Sequence, residues 1–119
     1  MNALDARLHG FLDLVTVGVF LLAPFFFGLG GDVAAVAWGL AAAHLLMTLL
    51  TRFPLGLVKV IPFPFHGAIE LVAGVVLVLA MPRMLGAGAD SPARTFFVGA
   101  GAAILIVWLL TRYRESPRT

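Results

Sequence analysis

The chain patterns as an all-α protein, a four-helix transmembrane bundle made of two tandem, parallel-oriented helical-hairpin repeats. Three observations lead there. First, four apolar runs cover 8–27, 33–51, 65–85 and 94–112. Each is about 18–21 residues long, enough at 1.5 Å per residue to cross roughly 30 Å of hydrocarbon. Second, the 119 residues are 61% apolar and only 12% charged, with a mean hydropathy of +1.06. Domains that fold in water are about 45–50% apolar and about 25% charged. A chain this short has too much surface to hide the excess, which argues against a soluble enzyme and against a disordered tail. Third, the residue order of the first half returns in the second. Backbone groups inside lipid must bond within their own segment, so the runs are expected as helices.

The elements follow in order. The first run ends in Phe25, Phe26 and Phe27. A signal peptide would need a basic leader and a small-residue cleavage site; here Asp13 sits inside the run and bulky rings stand at its end. Gly28, Gly30, Gly31 and Asp32 form a turn signal before the second run, which Arg52 and Pro54 stop. Residues 54–65 connect the halves. Pro54, Pro62 and Pro64 preclude a continuous helix there. The connector is apolar but too short to span, so it is expected in the membrane interface with Lys59 reaching toward headgroups. Pro64 can begin the third helix. Pro82, Gly86 and Gly88 close the third run, and Ser91-Pro92 is an N-cap with proline at the first helical position, opening the fourth.

The duplication is read from four matches. HGFLDLV at 9–15 returns as HGAIELV at 66–72, and LLTRF at 49–53 returns as LLTRY at 109–113. Pro24 and Gly28 return as Pro82 and Gly86; Gly39, Ala42, Ala43 and Leu45 return as Gly99, Ala102, Ala103 and Leu105. The units are therefore 1–53 and 66–119. Two spans per unit bring the chain back to its starting side, so the units share one orientation about an axis along the membrane normal. Arg7, Arg52, Lys59, Arg112, Arg114 and Arg118 fall on one side and only Arg83 and Arg94 on the other. The positive-inside rule then places both termini in the cytoplasm, and the chain in the cytoplasmic (inner) membrane.

The layout resembles the SPW-repeat family of small prokaryotic integral membrane proteins. The likeness covers nearly the whole chain. It rests on the His-x-x-x-acid opening of each hairpin (His9/Asp13, His66/Glu70), the LLT endings and the connector LGLVKVIPFP at 55–64. The Ser-Pro-Trp positions read Ala23-Pro24-Phe25 and Met81-Pro82-Arg83, so the proline is kept and its neighbours are not. The resemblance implies a membrane location and no established reaction.

Function is sought in the polar residues of the spans, because charge is costly there and needs a partner. His9 with Asp13, and His66 with Glu70, share helix faces at i, i+4 spacing. His44 and Arg52 on the second span are expected near Asp13. Arg112 is expected near Glu70, where Ile104 replaces His44. The bland expectation is two clamps, Asp13–Arg52 and Glu70–Arg112, within a non-enzymatic structural or accessory module. The sharper one is proton or cation handling through Asp13, His44 and Glu70 in a small transporter or channel subunit. A metal site from the histidines and acids is chemically conceivable, but His9 and His66 are expected near the surface on different helices, with no ligand motif. No catalytic residue, cofactor or metal is therefore expected. The absence of cysteine removes disulfides, thiolate sites and a cysteine nucleophile. A net charge of +2, spread along the chain, makes no nucleic-acid stripe. The expected partners are the lipid bilayer and a second copy or another membrane protein. Small residues (Gly10, Gly67, Gly74, Gly39, Gly99, Gly101 and the paired alanines) are expected to bring the two hairpins together. The Phe25–Phe27 cluster is expected to face lipid, and Trp38 the outer interface.

Overall fold

A computed structural model describes residues 5–52, 54, 56–86 and 91–111. Its helices are α1 (Ala6–Phe26), α2 (Gly31–Leu50), α3 (Phe63–Met84) and α4 (Pro92–Leu110), each long and apolar enough to cross a membrane. Among the described residues there is no strand; an isolated bridge joins Thr51 and Ile61. Each helix starts slightly ahead of its apolar run because the first turn is built from residues such as Arg7, Asp32 and Pro92. Helix N-termini accept polar residues and proline readily, since their amides have no partner inside the helix. Asp5 Oδ1 accepts from the Leu8 amide at 2.9 Å, and Ser91 Oγ from the Arg94 amide at 3.1 Å. Gly28 and Gly86 take φ of 64° and 66° just past α1 and α3, the left-handed conformation that side chains resist.

The two matching prolines are accommodated differently. Pro24 lies within a continuous α1. In α3 the turn before Pro82 widens into a π-helical segment, Val76–Ala80, where the Met81 amide reaches back to Val76 O. Proline lacks an amide hydrogen and crowds the carbonyl four residues earlier; a wide turn makes room for it.

The connector does not trail away from α2. It folds back on the helix end. The Leu57 and Val58 amides donate to Leu49 O at 2.8 and 3.0 Å, and those of Val60 and Ile61 to Leu50 O at 3.0 and 2.8 Å. The last carbonyls of α2 are thereby satisfied. Leu57, Val58 and Val60 remain exposed.

The helix backbones approach most closely inside each hairpin, α1 with α2 and α3 with α4. Here the structure corrects the expectation for the small residues. Gly74 and Gly101 form a close crossing within the second hairpin. A Cβ on Gly101 would stand 2.9 Å from Gly74 O, and one on Gly74 would stand 2.6 Å from Leu105 Cδ2. Gly39, Ala42, Ala43, Gly99, Ala102 and Ala103 are exposed, and α2 buries Ala34, Ala37 and Ala41 in their place. A helix drifts by about 100° per residue, so alanines one position apart face different neighbours.

Between the hairpins the interior has two parts. One is apolar: Phe20 of α1 meets Phe96 of α4 edge-to-face at 5.4 Å, among Val17, Leu77, Phe97 and Ile104. Phe25 and Phe26 face outward as expected, but Phe27 turns in against Phe96 at 5.4 Å. The Trp38 indole N–H, expected to meet water, donates to Leu21 O at 3.1 Å. The other part of the interior is polar.

Candidate functional site: a buried histidine–carboxylate cluster

Four helices deliver the polar part. His9 and Asp13 come from α1, one turn apart on one face, and His66 and Glu70 come from α3 in the same way. His9 and His66 are fully buried, and Asp13 and Glu70 are 2% exposed. That overturns the expectation that both rings lie near the surface. Helix spacing put each ring beside its own acid, but only the docking of the hairpins shows that they face one another.

Each ring lies closer to the acid of the other hairpin than to its own. His9 Nε2 is 2.8 Å from Glu70 Oε2 and 3.3 Å from Asp13 Oδ1. His66 Nε2 is 3.0 Å from Asp13 Oδ2 and 3.3 Å from Glu70 Oε1. His44 adds a third ring from α2, with Nε2 at 3.2 Å from Asp13 Oδ1 and 3.6 Å from Glu70 Oε1. The two buried rings stack edge-to-face at 5.4 Å, and Phe63 closes on His9 at 5.5 Å.

The outer nitrogens are fixed by two threonines that the sequence reading did not single out. His66 Nδ1 is 2.7 Å from Thr51 Oγ1, and His9 Nδ1 is 2.8 Å from Thr111 Oγ1. Each hydroxyl already donates its one hydrogen to a carbonyl four residues back, Met47 O for Thr51 and Val107 O for Thr111. The hydroxyls must therefore accept from the rings, and Nδ1 carries hydrogen in both histidines. The signal for these threonines was present in the repeated LLTR segments. A repeated segment shows that the threonine recurs but not which side chain its hydroxyl meets across the hairpins.

With Nδ1–H committed outward, both Nε2 atoms are left beside carboxylate oxygens. Lone pair facing lone pair is repulsive, so the centre needs positive charge, either protons shared between rings and acids or a metal ion. His9, Asp13, His66 and Glu70 offer four ligand atoms that all lie within 4.8 Å of one another.

The remaining expected site residues fall elsewhere. Arg52 is exposed, and its Nε donates to Lys59 O at 3.3 Å. Around Asp13 stand the three imidazoles, where Arg52 had been expected. Arg112 lies outside the described residues. Where α2 offers His44, α4 offers Ile104, and beside it a void of about 40 Å³ touches Asp13 and Glu70. On the His44 side an apolar cavity of about 360 Å³ opens between α2 and α3, lined by Leu40, Met47, Ile61, Ile69 and Ala73 among others.

The fold and this cluster define an all-helical protein of membrane-spanning character with a polar centre. No protein-family model matches the chain, and no curated protein or solved structure shows significant similarity to it.

Proposed function

We propose that the chain is an integral protein of the inner membrane, a non-enzymatic structural or accessory module whose two tandem hairpin repeats are fastened to each other by the buried cluster. One observation carries this. Each buried ring is flanked at both nitrogens by the other hairpin: His9 by Thr111 and Glu70, each at 2.8 Å, and His66 by Thr51 at 2.7 Å and Asp13 at 3.0 Å. Lipid tails are as apolar as leucine, so apolar helices gain little by leaving lipid for one another; directional polar contacts then select which faces meet.

The duplication is part of the same reading. HGFLDLV and HGAIELV supply the rings and acids, and LLTRF and LLTRY supply the threonines. Kinship with the SPW-repeat family belongs to this proposal on the same residues, and cytoplasmic termini belong to it on the arginine and lysine distribution. The alternative, a proton- or ion-coupled transporter or channel subunit using Asp13, His44 and Glu70, needs water at the carboxylates; their 2% exposure favours a closed fastening.

Two measurements test the proposal. Thermal unfolding in detergent should show Asp13→Asn and Glu70→Gln far less stable than Phe25→Ala, whose ring is 76% exposed. Liposomes holding the wild-type protein should dissipate a pH gradient no faster than empty ones. A flux that the wild type carries and Asp13→Asn abolishes would replace the fastening with transport.

A further inference from the structure

We infer that the cluster is a binding site for one divalent first-row transition-metal ion, with Nε2 of His9, Nε2 of His66 and one oxygen each from Asp13 and Glu70 as ligands. The inference rests on the fastening role proposed above and gives it a chemical agent.

Four independent features converge. The first is spacing. Around an ion bound at about 2.1 Å, tetrahedral ligands stand about 3.4 Å apart. The shortest ring-to-acid contacts, which use different oxygens of each carboxylate, are 2.8–3.3 Å, and one ligand atom from each of the four residues can be chosen so that all lie within 4.8 Å of one another. A small outward relaxation of the nearest pairs admits the ion.

The second is orientation. Thr51 and Thr111 take the Nδ1 hydrogens and leave both Nε2 lone pairs pointing at the centre. An outer hydrogen-bond partner that sets the tautomer is the usual support of a metal-binding histidine.

The third is charge. Two carboxylates and two neutral imidazoles sum to −2, which one divalent cation cancels. Burying the set without compensation is costly in a protein interior and more so among lipid-facing helices.

The fourth is an acceptor left over. Asp13 Oδ2 is buried and receives no aligned hydrogen bond, although His66 Nε2 stands 3.0 Å away. Ligands of a common ion point at the ion and not at each other.

The donor set also narrows the ion. Two imidazoles and two carboxylates, with no thiolate, suit Zn²⁺, Fe²⁺ or Mn²⁺ better than Ca²⁺ or Mg²⁺, which prefer oxygen alone. His44 stands at the edge of the set, its Nε2 hydrogen-bonded to Asp13 Oδ1 at 3.2 Å. On the opposite side, the void of about 40 Å³ beside Ile104 is large enough for a water at a further coordination position.

The test uses the full chain in detergent micelles. The protein is stripped with a chelator, incubated with Zn²⁺ or Co²⁺, desalted, and assayed for bound metal and for the Co²⁺ visible spectrum. The site predicts about one ion per chain and a ligand-field spectrum of low coordination number. His9→Ala and Asp13→Asn should lower retained metal to background. Thr51→Val keeps every ligand and should still fold; it should weaken Zn²⁺ binding about 10–100-fold. A monodisperse wild-type protein that retains no metal overturns the site, and so does retention that His9→Ala and Asp13→Asn leave unchanged. If the wild type retains no metal while Glu70→Gln still lowers its unfolding temperature, the metal is refuted and the fastening stands. If Zn²⁺ binds stoichiometrically but Glu70→Gln unfolds with the wild type, the metal stands and the fastening is refuted.

Discussion

The two ends of the interior join the same hairpins by opposite means. At one end Phe20, Phe96, Phe97 and Leu77 meet through shape alone. At the other, His9, Asp13, His66 and Glu70 meet through directed contacts of 2.8–3.3 Å, backed by Thr51 and Thr111. In water the aromatic end would dominate, because burying a phenylalanine removes its surface from the solvent. In a bilayer that gain nearly vanishes, since the ring leaves one apolar medium for another, and only its packing is retained. The polar end behaves conversely: its groups have no acceptable place in lipid apart from one another. On the proposed fastening, the polar contacts, and not the apolar core, determine how the hairpins dock.

The largest effect should come from breaking the polar end. Glu70→Gln removes one charge from a nearly sealed cluster and leaves the rest uncompensated, a loss of about 3 kcal/mol in reversible unfolding from micelles. Next is the close crossing within the second hairpin. Gly101→Val drives a side chain into Gly74 O and Leu77 Cβ, each 2.9 Å from the added Cβ, and should cost about 2 kcal/mol by the same measurement. The apolar end should be milder than in a soluble protein. Phe20→Leu should cost about 1 kcal/mol in micelles, because the cavity remains but the transfer contribution is small. A loss from Phe20→Leu larger than that from Glu70→Gln would reverse the comparison. The smallest effect belongs to His44→Leu, which removes a peripheral ring 10% exposed at its side chain and should cost about 0.6 kcal/mol.

Much of the fold was legible in the sequence because lipid restricts the choices. Runs long enough to span must be helices, and Pro54, Pro62 and Pro64 leave no other place for the break between hairpins. The site was legible in its members and not in its pairing. The i, i+4 spacing put His9 with Asp13 and His66 with Glu70, but that rule acts within a helix and says nothing about exchange across hairpins. Arg52 looked like the natural counter-ion for Asp13 by charge and depth; the connector folding back on Leu49 and Leu50 instead sets its Nε against Lys59 O. The widened turn before Pro82, absent at Pro24, was equally unreadable, since both prolines carry the same local signal.

The most direct test of the docking is a double-mutant cycle across the hairpins, His9→Ala with Glu70→Ala, followed by equilibrium unfolding in micelles. His9 Nε2 and Glu70 Oε2 are 2.8 Å apart and belong to different hairpins. The account predicts a coupling of about 0.5–3 kcal/mol, the range for residues sharing a polar network. Losses that add to within about 0.5 kcal/mol, as independent sites do, would contradict it.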